Sequence, residues 1–166
     1  MEIRRATQAD ARAIAGIHVR GWQWAYRGVL PDAVLDGLSV EARAAEWRQW
    51  LRDEAVHTWV AEHGERVIGF VSCGPTGDDF VGEIFTIYRE KEAGVAGVGH
   101  ALLAHAMSDL ASRGFTEVVL WVLEGNAHAR RFYEREGWVA DGGRKEEERI
   151  DYVRCDVRYR ILLNRR

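Results

Sequence analysis

Tyr88–Met107 reads YREKEAGVAGVGHALLAHAM. The β-rich run FVGEIFTIY (Phe80–Tyr88) ends where this stretch begins. After the glycines, Val98, Leu102, Leu103, Ala106 and Leu110 form a helix-period apolar stripe over residues 97–113. The order is strand, glycine-rich loop, helix. A helix start exposes unpaired N–H groups and partial positive charge, which favours phosphate. Gly97 and Gly99 let a ligand approach the backbone with no Cβ in the way, and they equally permit close helix–sheet packing. The segment lacks G-x-x-x-x-G-K-[ST], which excludes a nucleotide-hydrolase phosphate loop. Leu102 stands where a dinucleotide G-x-G-x-x-G needs its third glycine.

Working outward, TEVVLWVL is apolar almost throughout, as expected of a strand buried on both faces. Gly114 suits the end of the preceding helix. Asn126 caps a short helix, AHARRFYERE, which Gly137 ends, and DYVRCDVRYRILL alternates with period two as a final strand. RKEEER (Arg144–Arg149) reads as a solvated turn between the last strands. Upstream, HTWVAEH (His57–His63) and RVIGFVSCG (Arg66–Gly74) make a hairpin. EIRRA (Glu2–Ala6) is a short strand, and Thr7 with Asp10 resembles a capping box opening a helix with Ile14, Ile17 and Gly21 on one face and His18 beside them. Pro31 suits a short helix. Ser39 caps another with Val40, Ala44, Trp47 and Leu51 on its apolar side. The expectation is one α/β (α+β) domain over residues 1–166. Its mixed sheet has six to seven strands, antiparallel at first, with a parallel crossover from Phe80 to Leu123, and four to five helices.

Composition narrows the class. The chain has 166 residues, 47% hydrophobic and 30% charged, ordinary for a soluble domain. The longest apolar run, Val118–Leu123, is far short of the roughly 20 residues that span a bilayer. MEIRRATQAD has no apolar signal region. A net charge of −3 gives no general case for nucleic acid. Cys73 and Cys155 are far apart and form no C-x-x-C. A zinc site and a disulfide framework are therefore not expected, and a reducing cytoplasm is the simplest compartment. Both cysteines read as buried and inert.

GEIFTIY, GVGHALLAHAM and GFTEVVLWVLEGNAHARRFYEREGW together resemble the GNAT acyltransferases, the Gcn5-related N-acetyltransferases. Asn126, Ala129, Phe132, Tyr133, Gly137 and Trp138 match the family's N-x-x-A-x-x-F-Y-x-x-x-G-[FW]. The likeness is strong over about Gly82 to Ala140 and looser upstream, where GWQWAYRGVLPDAVLDGL looks like acceptor-side helices of bacterial members. It implies the GNAT fold and an N-acetyltransferase moving an acetyl group from acetyl-CoA to a primary amine by direct attack in a ternary complex, with no metal. A non-catalytic acyl-CoA-binding or sensing domain of the same fold is the alternative.

The resemblance also implies residue roles. Glu83 is the expected general base, with His57 and His18 as fallbacks, and Tyr133 the general acid. The cofactor would be held by Phe85, Thr86 and Ile87 of the strand, by Val95, Ala96, Gly97, Val98, Gly99 and His100 of the cradle, and by Asn126, Ala129 and Phe132. The family's Q/R position is Gly94 here and its usual loop cation is Ala96, so the loop offers no side-chain cation, with His100 as a partial substitute. Trp22, Tyr26 and Trp47, with Trp24 and Trp50 nearby, are expected to wall the acceptor pocket. Asp78 and Asp79 could attract a cation, or simply form a turn. A polyamine, an amino acid, an antibiotic amine and a protein N-terminus all remain as acceptors, and a homodimer is compatible with the long final strand.

Overall fold

The computed structural model describes residues 1–163. Strand β1 (Glu2–Arg5) leads through a 3₁₀ turn into α1 (Ala11–Ala25), α2 (Asp32–Asp36) and α3 (Val40–Trp50). Then come β2 (His57–His63), β3 (Arg66–Pro75), β4 (Val81–Arg89), α4 (Val98–Ser112), β5 (Glu117–Leu123), α5 (Ala127–Arg135), β6 (Val139–Glu148) and β7 (Val153–Leu162). One seven-stranded sheet runs β1-β2-β3-β4-β5-β7-β6, antiparallel except for the β4–β5 pair. Among the described residues no helix is long and apolar enough to cross a membrane.

Local signals place the ends. Asp10 accepts the Thr7 N–H (2.7 Å) and two Arg4 nitrogens (2.9 Å each), tying β1 to the turn before α1. Ser39 Oγ accepts from Ala42 N and Asn126 Oδ1 from Ala129 N, both at 3.2 Å, so each caps its helix. Gly114 and Gly137 follow α4 and α5 with φ of +92° and +94°.

Two cores flank the sheet. Under α4, Leu102, Leu103, Ala106 and Leu110 pack on Ile68, Val71, Ile84, Val118 and Leu120, with Tyr133, Trp138 and Tyr159 completing the cluster. On the other face, Ile14, Ile17, Ala44 and Trp47 pack on Val60 and Phe70.

RKEEER departs from the sequence expectation. Arg144–Glu148 are the paired end of β6, opposite Val157–Val153 of β7. Their exposure and high charge suit an edge strand, whose outer face meets water and whose charges discourage further pairing.

Two irregularities create the site. At Ser72/Cys73 the β3–β4 register shifts, with Cys73 opposite Ile84 and Ser72 opposite Thr86, so Phe85 is an extra residue. The parallel β4–β5 ladder covers only Val81–Ile84 against Glu117–Leu120. Beyond it β4 stays with β3 as far as Arg89, and β5 stays with β7 as far as Leu123. The sheet divides there, and among the described residues the β4 backbone facing β5 past Ile84 has no strand partner.

Candidate active site

The cleft opens between the diverging halves of β4 and β5, with the β4–α4 loop at its far end. Gly97 begins α4 at φ +76°, and Gly94 takes φ +70°. That geometry explains the missing cation: position 94 holds a left-handed conformation in which a side chain is strained. Ala101 N–H is bonded to Gly97 O, so the N–H groups before it stand at a free helix start. A Cβ on Gly99 would lie 3.3 Å from the Phe132 ring, so this glycine also serves helix packing. Val98 is buried, Val95 packs on the core, and Ala96 is exposed.

His100, the expected partial substitute, has its Nδ1 2.8 Å from the carboxylate of Glu136, just past the end of α5.

On β4, Glu83 is half-buried, and burial raises its pKa while the charge of Lys145 acts against that rise. Phe85 is exposed at the bulge, the hydroxyls of Thr86 and Ser72 share a 2.7 Å hydrogen bond, and Ile87 packs on the α4 core.

Across the cleft Tyr133 of α5 is buried, and the loss of water lifts its pKa well above the usual tyrosine range. Tyr26 and Tyr88 join hydroxyls at 2.9 Å nearby, and burial raises both their pKa values. Asn126 is buried at the head of α5, and Ala129 and Phe132 are packed on the core behind it.

Of the tryptophans, Trp22 is half-buried with the guanidinium carbons of Arg43 and Arg154 at 5.6 and 5.1 Å from its ring centre. Trp47 is not a pocket wall. It is 2% exposed, donates its indole N–H to His18 Nδ1 (3.2 Å) and stacks edge-on against Phe70. Trp24 and Trp50 are exposed on the surface, Trp24 beside Lys91.

His18 is neutral in this setting, its pKa lowered to about 3 by burial and then by the Arg43 charge. His57 is held by Asp109 (2.9 Å) at the other end of α4. Cys73 lies 3.6 Å from the same carboxylate, and burial pushes its thiol up to about 12, which leaves it a poor nucleophile. Cys155 is half-buried rather than buried. Asp78 accepts the Phe80 N–H (3.0 Å) and so forms a turn.

Sequence reasoning missed Tyr88, Arg154, Asp156, Trp121 and Lys145. Period two marked the β7 residues as alternating, but nothing in one strand says which side faces the cleft.

The divided sheet with a glycine-rich helix start defines an acyl-transfer fold, and the chain belongs to the acetyltransferase (GNAT) family, whose model matches residues 19–138. It is an acetyltransferase. An uncharacterized N-acetyltransferase, YuaI, of Bacillus subtilis is 32% identical over 127 residues, covering 75% of this chain and 72% of that one. A probable N-acetyltransferase, Rv2775, of Mycobacterium tuberculosis is 30% identical over 146 residues, covering 86% and 82%. Among solved structures, the fold is similar to the PaiA N-acetyltransferase of Thermoplasma acidophilum in complex with coenzyme A, with a TM-score of 0.75, 19% identity and 96% of each chain covered.

Proposed function

We propose that the protein transfers an acetyl group from acetyl-CoA to a primary amine, both bound at once. The observation that carries this reading is the division of the sheet at Ile84/Leu120, directly beside Glu83. The cleft suits the cofactor chemically. A free helix start after Gly97 faces a diphosphate, and unpartnered β4 backbone from Phe85 to Ile87 can bond an amide-bearing arm and an acyl oxygen. With Val95, Ala96, Val98 and Gly99 offering backbone, and Asn126, Ala129 and Phe132 of the neighbouring α5 region packed behind them, N–H groups alone would make up for the absent loop cation. When bound, acetyl-CoA supplies an acetyl thioester.

Glu83 then takes a proton from the acceptor ammonium, directly or through a water, freeing the nitrogen lone pair. Its raised pKa brings it closer to the amine it deprotonates than an ordinary carboxylate would be. Burial opposes the Tyr133 phenolate, so the phenol is a hydrogen-bond donor to the departing sulfur, and as general acid it gives up its proton only as the acceptor nitrogen loses one. Trp22, stacked on the buried Tyr26, would wall the acceptor pocket.

Glu83→Gln tests the assignment. Turnover, followed as thiol release with an amine panel, should fall roughly 10²–10⁴-fold. The rise in thermal midpoint caused by acetyl-CoA should remain. An unchanged rate would remove Glu83 as the base. A midpoint rise with no thiol release from the wild type would favour a sensing domain.

A further inference from the structure

Resting on the acetyltransferase reading, the next question is what the acceptor carries besides its amine. Paired residues in a ladder share a face, so Glu83 and its partner Val119 point the same way. Trp121 lies two residues further along β5. Pairing with β7 sets Arg158 beside Trp121 and Asp156 beside Leu123, and pairing with β6 sets Lys145 beside Asp156. Period two adds Arg154 and Arg160. All stand on the Glu83 face, opposite the one that Ile84 and Leu120 bury under α4.

Nearly every charge in this row is held by an opposite one. Arg154 lies 3.1 Å from Asp156, Arg158 lies 2.7 Å from Asp141, and Arg160 bridges Asp141 (3.1 Å) and Glu117. Glu147, opposite Arg154, is held by Arg149 at 2.7 Å.

Two charges are left over. Glu83 makes no hydrogen bond or salt bridge among the described residues, and neither does the Lys145 ammonium, which lies 4.2 Å from the centre of the Trp121 ring. They act on each other through space without touching. A free acid and a free cation on one face match a ligand that carries an amine and an anion. A diamine fits badly, because its second ammonium would meet Lys145 in a row already rich in arginine.

We propose that the acceptor is a small amino-carboxylate, with its amine at Glu83 and its carboxylate on Lys145 over Trp121. Lys145 is then the residue that determines acceptor specificity.

The test compares acceptors that differ only by a carboxylate: L-phenylalanine and phenethylamine, L-lysine and cadaverine, 4-aminobutyrate and propylamine. Each is assayed by thiol release with wild type, Lys145→Gln and Lys145→Arg. At least one carboxylated member should exceed its partner about two- to fivefold in kcat/KM, the size expected of a partly exposed charge contact. Lys145→Gln should bring that ratio towards one by raising KM for the carboxylated member alone, and Lys145→Arg should keep most of it. An effect of Lys145 through the Glu83 pKa would change both members equally, and that result overturns the proposal. So does the absence of a carboxylate preference in all three pairs, or a ratio that Lys145→Gln leaves unchanged. Acetyl-CoA should raise the midpoint of all three proteins. If it fails to do so in wild type, the acetyltransferase reading falls and this inference with it. If the rise is intact and no carboxylate preference is seen, the acceptor class alone is wrong.

Discussion

Glu83 and His18 are both titratable groups facing the α1 side of the sheet, and burial moves them in opposite directions from their ordinary values. His18 is the clearer case for stability. Its ring nitrogen Nδ1 accepts the Trp47 N–H, so the native ring is neutral with its hydrogen on Nε2. The unfolded chain binds a proton near pH 6.5, whereas the folded one resists until about pH 3. The stability this neutral ring contributes is therefore complete above 6.5 and is lost as pH falls between those values, by up to about 1.4 kcal/mol per pH unit. Proton NMR should show His18 failing to titrate at pH 5, where an exposed histidine is charged. A His18→Gln variant should show a flatter fall of stability between pH 6.5 and 4 than wild type, measured by urea midpoints. Glu83 carries the opposite sign. Its raised folded pKa means stability is lost as pH rises through that value, so Glu83→Gln should gain stability relative to wild type at pH 7 and less at pH 4. In its proposed role as base, a carboxylate kept half-buried is a case of function set against stability.

At the scale of elements, the β4–α4 junction depends on backbone that only glycine adopts easily. Gly97 at φ +76° has open space where its Cβ would stand, so Gly97→Ala meets no clash and isolates the conformational cost. That cost should be about 1 kcal/mol in a denaturant midpoint. Because the same residue sets the free N–H groups at the start of α4, the acetyl-CoA midpoint rise should shrink as well. Loss of stability with an undiminished rise would separate the loop's fold from its binding role. The strand–loop–helix order was legible because three signals coincide there: β-rich residues, glycines and a 3.6-residue apolar stripe. β6 was not legible, because Arg144–Glu148 carry neither apolar alternation nor β-branched residues; the strand exists through its pairing with β7. The core position of Trp47 was visible in its apolar stripe, yet its aromatic neighbours in sequence suggested a pocket wall. The charged row on β5, β7 and β6 escaped for a related reason. Glu83, Trp121, Lys145 and Arg158 come from four strands, and a face is a property of register, which a single strand does not disclose.

For the whole molecule, the division of the sheet makes ligand binding a matter of global stability. β4 belongs to the half containing β1 to β3, and β5 to the half containing β6 and β7, with a parallel ladder of four residue pairs joining them. α4 and α5 touch at Gly99 and Phe132 behind the cleft, so a cofactor lying in it would contact both halves and the helix start together. It would bind the folded state and find no comparable site in the unfolded one. Acetyl-CoA at roughly 100 times its dissociation constant should then stabilise the fold by about 2.7 kcal/mol. For a domain of this length that is a midpoint rise of roughly 5–10 °C. On the proposed binding mode desthio-CoA should give a similar rise, because the cradle and the β4 backbone would hold the arm and not the sulfur. Adenosine bisphosphate, which reaches only the α4 end, should give less. The ordering of these three ligands separates a cleft that binds along its length from one that binds at the helix start alone. An equal rise with adenosine bisphosphate and acetyl-CoA would show that the divided strands contribute nothing to cofactor binding.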